Sequence, residues 1–250
     1  IRPIEVIAAT AERIAAGDLG SRIALQDTET ELGALARVLN ATFDRLCEAL
    51  ARQSRFTADA SHELRTPLAV ILSQAESALA RERPPAEYRE ALEACQRAAK
   101  RLQHLVESLL TLARLDAGGG GPLNERVALD RVAAEALDLL RPLAAERRLE
   151  ISAELQPAAC TGRADELAQV ALNLIANAIH YNREGGRIEV ETAADGTNVR
   201  LTVRDTGIGI APEHLPRIFE RFYRADSARS RAHGRAGLGL AIAAEVARRH

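Results

Sequence analysis

The sequence predicts a multidomain protein of α and α/β class, with an all-helical first part followed by an α/β sandwich. Three observations predict it. Apolar residues recur at helical spacing through the first hundred positions, and residues 43–60 contain neither glycine nor proline. Four consecutive glycines at 118–121, within "DAGGGGP" at 116–122, then interrupt the chain, and such a run has no side chain to pack and loses most entropy on ordering. Beyond it the period changes to alternation, most cleanly in "VRLTVRD" at 199–205.

Composition limits the classes open to the chain. Its 250 residues are 47% hydrophobic and 27% charged, which are globular values, and only 3% aromatic, which favours helix packing. A net charge of −2 leaves no electrostatic footprint for nucleic acid, so no such partner is expected. Cys47, Cys95 and Cys160 are too dispersed for a disulfide or zinc framework and read as thiols in a reducing compartment. No run reaches the roughly 18 apolar residues of a membrane helix and no signal peptide is present. The absence of methionine, even at position 1, marks the sequence as a piece of a longer chain, which leaves room for a membrane span upstream.

Taken in order, Ile7, Ala11 and Ile14 make a seam on a short helix that begins near Ile4 and is broken by Gly17, Asp18 and Gly20. Ile23 and Leu25 alternate through a connector, and a second seam follows at Leu32, Leu35, Leu39 and Leu46. Short seamed helices cannot bury their stripes alone, so a parallel dimer is implied. The second helix continues without a breaker into the next segment, a route by which rotation or tilt upstream reaches His62. Helix is expected to about Arg83, with Pro84 and Pro85 ending it and opening another. That next helix carries a heptad stripe of Leu92, Cys95, Ala99, Leu102, Val106, Leu109 and Ala113, flanked by Leu105, Leu110 and Leu112. Two such hairpins make a four-helix bundle with His62 on its outer face. His104 reads as solvated surface. After the glycines, helices are expected at 127–140 and 165–181, and strands at 148–155, 187–192 and 199–205, as a mixed sheet with helices on one face.

Two groups of residues carry chemistry. In "ASHELRTPLAVI" at 60–71, His62 offers a ring nitrogen that is a free lone pair near neutral pH and can attack phosphorus. Glu63 can accept the proton or hydrogen bond of the other nitrogen. Thr66, three residues past Glu63, shares nearly the same helix face, so hydroxyl and carboxylate together can orient a water. Pro67 withdraws a helix donor and should bend the helix one turn further on. In the second half, Asn173 and Asn177 share a helix face, and an amide oxygen suits a magnesium ion that also binds phosphates. His180 and Tyr181 follow on the adjoining turn. In "DTGIGI" at 205–210, Asp205 ends a strand as a buried acceptor for an adenine amino group, and Gly207 and Gly209 permit close backbone approach. In "FERFYRAD" and "GRAGLGLAI" a glycine-rich loop enters a helix, whose terminal amides suit polyanionic phosphates. Arg224, Arg229, Arg231 and Arg235 surround that loop, and the residues between read as a mobile lid. No Gly-Lys-Ser/Thr follows, so this is not a P-loop, and no Rossmann fingerprint fits.

The string "SHELRTPL" resembles the phosphoacceptor box of sensor histidine kinases of two-component systems. By that resemblance His62 takes a phosphoryl group, Glu63 assists and Thr66 serves the reverse, phosphatase reaction. "RPIEVIAATAERIAAGDLGSRI" followed by "TELGALARVLNATFDRL" resembles a HAMP domain, the relay that follows the last membrane helix in many receptors. The Asn173, Asp205, "FERFY" and "GLGLA" segments resemble the N, G1, F and G2 boxes of Bergerat-type ATPases. This implies that Asn177 coordinates Mg2+ with Asn173 in support, Asp205 reads adenine beside Tyr181, and His180, Arg224 and the amides of Gly237, Leu238, Gly239 and Leu240 contact ATP phosphates. The implied division is a HAMP domain at 1–50, a dimerisation and phosphotransfer domain at 51–117, a linker at 118–123 and an ATP-binding domain at 124–250. It implies a homodimer, a response-regulator receiver domain as partner, and a cytoplasmic position under a bacterial inner membrane reached through upstream helices. His180 stands where Lys or Arg is usual, and Arg235 and Ala236 replace Gly and Thr or Ser; the family also continues past the position of His250 through a further glycine turn and strand. Two rivals stay open: a scaffold acting mainly as a regulator phosphatase, and a chaperone-type ATPase that releases free phosphate without labelling His62.

Overall fold

In a computed structural model of the chain, residues 2–16, 18, 20–24, 30–117, 124–196, 198–225 and 236–250 are described. They form two compact units, Ile1–His62 and Glu63–His250.

The first unit starts with α1 (Arg2–Ala15), whose least exposed described positions are Ile7, Thr10, Ala11 and the buried Ile14, the seam read from the sequence. Asp18 closes the following turn by accepting hydrogen bonds from Arg13 Nη2 and Ser21 Oγ at 2.5 and 2.6 Å. The Ser21 hydroxyl and then the Arg13 guanidinium hold its carboxyl below the usual carboxylate range. The connector is fixed by a side-chain amide in place of a neighbouring strand. Asn40 Oδ1 accepts from the backbone N–H of buried Ile23 at 2.9 Å, and Asn40 Nδ2 donates to the Ile23 carbonyl at 3.0 Å. Helix α2 (Glu31–Leu79) opens with Thr30 Oγ1 accepting from Gly33 N at 3.2 Å, an N-cap. Gly33 and Ala36 are buried, Leu32 and Leu39 half-buried, and Leu35 and Leu46 exposed. The connector lies over the face that carries Asn40, where only small side chains let a backbone approach. Gly17, Leu19 and Leu25 lie outside the described residues.

Helix α2 passes unbroken into the second unit with Pro67 buried inside it. It ends at Leu79 and not near Arg83, because the residue before a proline avoids the α region and two prolines follow Arg83. Arg83 bridges the turn instead, donating to Ser77 Oγ at 3.0 Å and to the Glu87 carboxylate at 3.1 Å. Helix α3 (Pro85–Asp116) starts on proline, whose missing N–H costs nothing there. Its buried residues are Ala98, Leu105, Leu112 and Leu115, whereas Leu92, Ala99, Val106 and Ala113 of the expected heptad stripe are exposed. α3 also packs against the last helix, α6 (Gly239–Arg249), a long-range contact with no local signal. The 118–123 segment read as a linker lies outside the described residues.

The remainder is the α/β sandwich that was expected, with additions. Strand β1 (Glu125–Ala128) leads into α4 (Leu129–Glu146), so the 127–140 helix expected from the sequence begins two residues later and runs six further, through Pro142. β1 pairs antiparallel with β3 (Ala159–Gly162), a small sheet that four-residue strands are too short to announce. The main sheet has the order β2 (Glu150–Leu155), β4 (Arg187–Asp195), β5 (Asn198–Asp205), with β2 parallel and β5 antiparallel to β4. β4 buries Ile188, Val190 and Thr192 in strict alternation on one face. Helices α4 and α5 (Ala164–His180) cover that face and α6 packs on α5, with Leu137, Ile175, Ile179, Ile242 and Val246 all essentially inaccessible to solvent. Truncating any of these to alanine removes about 2–5 kcal/mol by leaving a cavity.

The Asn40 bridge gives a test in the first unit. Asn40→Ala leaves both backbone groups of Ile23 without their partner at a cost of about 1–3 kcal/mol, so amide exchange at Ile23 should accelerate at least about tenfold. Unchanged protection there would mean that the connector is held by other contacts.

Candidate active site

The site is assembled where α5, the loop after β5, the segment at 221–224 and the start of α6 meet α3. The four-residue spacing on α5 puts Asn173 and Asn177 on one face. Asn173 is 9% exposed and both ends of its amide are used: Nδ2 donates to the Gly239 carbonyl at 3.1 Å, and Oδ1 accepts from Gln169 Nε2 at 3.2 Å. It therefore ties the first turn of α6 to α5. Glycine at 239 is what permits this, since a Cβ there would stand 3.3 Å from the Asn173 amide. Two residues earlier Gly237 has φ +72°, and a Cβ on it would lie 2.7 Å from the Tyr223 carbonyl oxygen. Phe222, with φ +62°, donates its N–H to the Gly237 carbonyl at 3.1 Å. A bulky residue held in the left-handed region is a strained conformation, and here it belongs to the wall of the site.

The consecutive residues 221–224 each have a fixed role. Arg221 makes a two-toothed ion pair with Asp116 at the end of α3, at 2.5 and 2.8 Å. Tyr223 is held by its hydroxyl, 2.8 Å from His214 Nδ1, and by the Arg217 guanidinium lying 4.3 Å from its ring centroid. Arg224, only 9% exposed, pairs with Glu63 of α2 at 3.5 Å. On the opposite side the glycine turn after β5 closes on α5. Gly207 N donates to Asp205 Oδ1 at 2.8 Å, and Ile208 N donates to the Tyr181 carbonyl at 3.1 Å.

A single cavity collects most of the residues expected from the sequence. Glu63, Asn173, Asn177, Tyr181, Arg224, Gly237, Leu238, Gly239 and Leu240 all line it. His180, Asp205, Gly207 and Gly209 are outside its lining. Asp205 is also exposed, not buried, because β5 runs out at this residue beyond the cover of the helices. His180 is half-buried, with its carbonyl accepting from Arg147 at 2.8 Å. His62 is the last residue of the first unit and Thr66 lies exposed on α2. Arg229, Arg231 and Arg235, read as flanking a lid, lie outside the described residues. The sequence reading did not count Arg101, His104, Leu105, Ser108, Ile218 or Tyr223 among the site residues, and Ala236, read as a departure within the glycine loop, lines the cavity too. His104 is exposed as expected but lines the cavity, and Arg101, His104 and Ser108 recur at the three- and four-residue spacing of one helix face, the signal that was available. Chemically the cavity combines amide oxygens, cations, one carboxylate and the amides at a helix start, a set suited to a polyanionic ligand.

This is the architecture of a nucleotide-binding sandwich joined to a helical hairpin. Comparison with known families agrees. The domain described as histidine kinase-, DNA gyrase B- and HSP90-like ATPase matches residues 162–250, the His Kinase A phospho-acceptor domain matches 52–118 and the HAMP domain matches 1–48. The chain belongs to the sensor histidine kinases, and its ATPase-domain match implies ATP binding. Sensor protein CutS of Streptomyces coelicolor is 35% identical over 253 residues, which cover all of this chain and 60% of that protein. The phosphate regulon sensor protein PhoR of Pseudomonas aeruginosa is 42% identical over 197 residues, 78% of this chain and 44% of PhoR. The chain thus spans roughly half the length of these relatives. Among solved structures, full-length ShkA in complex with AMPPNP has a TM-score of 0.52 at 28% identity, covering 76% of this chain and 40% of ShkA. The histidine kinase AdeS of Acinetobacter baumannii shares the fold with a TM-score of 0.57 at 24% identity, over 74% of this chain and 85% of AdeS.

Glycine substitutions test the wall of the site. A Cβ at position 207 would lie 2.3 Å from the Tyr181 carbonyl oxygen, so Gly207→Ala must move backbone. Binding of a fluorescent ATP analogue should fall at least about tenfold with the helical circular-dichroism signal retained. Gly185→Ala, at φ +71° but with open space around it, should cost only about 1 kcal/mol and keep binding. Equal effects of the two would remove the special role of the 207 turn.

Proposed function

We propose that this chain is the signalling and catalytic portion of a kinase that phosphorylates its own His62 from Mg-ATP and passes the phosphoryl group to an aspartate of a response regulator. The observation that carries this reading is the cavity in which Asn177, Tyr181, Arg224 and the glycine turn at the start of α6 stand together with Glu63, the acid next to His62 in the sequence. The working division is a HAMP relay at 1–50, a dimerisation and phosphotransfer hairpin at 51–117, a linker at 118–123 and an ATP-binding part at 124–250. In the transfer, a ring nitrogen of His62 bonds to the γ-phosphorus as the bond from that phosphorus to the bridging oxygen breaks. ADP leaves with the electron pair, and Glu63 takes up the proton from the other ring nitrogen. Positioning and charge neutralisation supply most of the rate. In the second step the N–P bond breaks as a regulator carboxylate oxygen bonds to phosphorus. Glu63 and Thr66 orient a water for the reverse task, hydrolysis of the regulator's acyl phosphate.

Asn177 would hold Mg2+ through its amide oxygen, with phosphate oxygens and water as further ligands, and the metal would neutralise charge developing on the phosphates. The donor set fits: the Asn177 amide, a hard neutral oxygen ligand lining the cavity, suits an ion that keeps phosphate and water as its other ligands. Tyr181 flanks the base, Asp205 reads its amino group beside the Gly207 and Gly209 turn, and His180, Arg224 and the 237–240 amides meet the phosphates. That the related ShkA was solved with AMPPNP supports a nucleotide in this fold. A homodimer is supported by the leucines left exposed along the hairpin, Leu68, Leu72, Leu79, Leu92 and Leu110. No helix among the described residues is long and apolar enough to cross a membrane. We place the chain on the cytoplasmic side of a bacterial inner membrane, with upstream helices as the anchor.

Incubation with γ-labelled ATP and Mg2+ tests the central step. Wild type should acquire label that is labile in acid and stable in base, and His62→Gln should abolish it without changing nucleotide affinity. Asn177→Ala should lower Mg-ATP binding and labelling at least about a hundredfold. Label that persists in His62→Gln, or ATP turnover to free phosphate without label, would sink the reading.

A further inference from the structure

We propose that Arg101 of α3 completes the phosphate end of the nucleotide site, so that full charge neutralisation exists only while the α/β part sits on the helical hairpin. This rests on the nucleotide reading above and adds a phosphate-contacting residue from outside the ATP-binding fold.

Arg101 lines the same cavity as Asn177, Arg224 and the glycine turn of α6, yet it belongs to the hairpin. It is half-buried, and among the described residues it makes no hydrogen bond or ion pair. Its neighbours differ in this respect: Arg221 is spent on Asp116, Arg217 on Glu220 and the Tyr223 ring, and Arg224 faces Glu63. A guanidinium carries five donors in a fork that matches phosphate oxygens, and half-burial without an acceptor is a cost that an anion would remove.

The charge inventory of the cavity points the same way. Among the described lining residues the ionisable groups are Glu63, Arg101, His104, Tyr181, Tyr223 and Arg224. The Glu63 carboxylate offsets Arg224, while His180 is outside the lining. Among the described lining residues Arg101 is therefore the fixed cation in excess. His104, one turn on, lines the same cavity and can donate from a ring nitrogen. The Asp116–Arg221 pair fastens the α/β part to the end of α3 and keeps Arg101 at the cavity. Arg101 would meet the terminal phosphate at the moment of docking, which favours ATP over ADP and aligns the γ-phosphorus for attack.

The test uses the full 250-residue chain as wild type, Arg101→Gln, Arg101→Lys and Asn177→Ala, with ATP and ADP as probes. Arg101→Gln should weaken ATP binding several-fold, leave ADP binding and the melting temperature unchanged, and lower the rate of His62 labelling at saturating ATP about tenfold or more. Arg101→Lys should recover part of the rate. Wild-type affinities and labelling rate in Arg101→Gln overturn the inference, and so does an equal loss of ATP and ADP binding, which marks a structural role. A wild type that binds no ATP, or an Asn177→Ala that binds it equally well, overturns the nucleotide reading itself and Arg101 with it.

Discussion

The arrangement of the site depends on one buried amide. Asn173 lies inside α5 with nowhere to send its donors and acceptor except Gly239 and Gln169. An unsatisfied amide there would cost about 1–3 kcal/mol, so the first turn of α6 is held at hydrogen-bond distance from α5. Everything downstream inherits that constraint. The glycine turn before α6 must pass under the Tyr223 carbonyl, which only a residue without Cβ at 237 allows. Phe222 adopts a left-handed backbone to meet it. The strained backbone at Phe222 persists because its hydrogen bond to the Gly237 carbonyl and the contacts of its neighbours over-determine it.

The same segment links chemistry to docking. Within four residues, Arg221 reaches α3, Phe222 reaches the glycine turn, Tyr223 stacks under Arg217 and Arg224 reaches Glu63. The surface pairs among these, such as Arg217 with Glu220, contribute little by themselves, since exposed ion pairs give at most about 1 kcal/mol. Arg224 is different. Its side chain is nearly buried, so its pairing with Glu63 is screened far less than that of the exposed pairs.

Legibility varied with the range of the signal. The asparagine pair on α5 was legible because a four-residue spacing on a helix fixes a shared face whatever surrounds it. The glycines at 237 and 239 were legible as a close approach, but not what approached, since Tyr223 and Asn173 come from elsewhere in the chain. The short strands β1 and β3 were missed because four residues carry too little periodicity. Asp205 was read as a buried acceptor at a strand end, and its exposure depends on where the helical cover stops. The heptad stripe on α3 was legible as apolar, but the packing of α3 against α6 was not, because α6 lies more than a hundred residues away in the chain.

By itself the sequence determined the class of the protein and the order of its helical and α/β parts, because the strings that resemble the family are local and the change from helical period to alternation is read within a few residues. Tertiary structure alone decided that Arg101, His104 and Ser108 of the hairpin face the same cavity as the asparagines and glycines of the α/β part. A helix face has no address until something packs against it, and the residues that supply this one are far off in the chain.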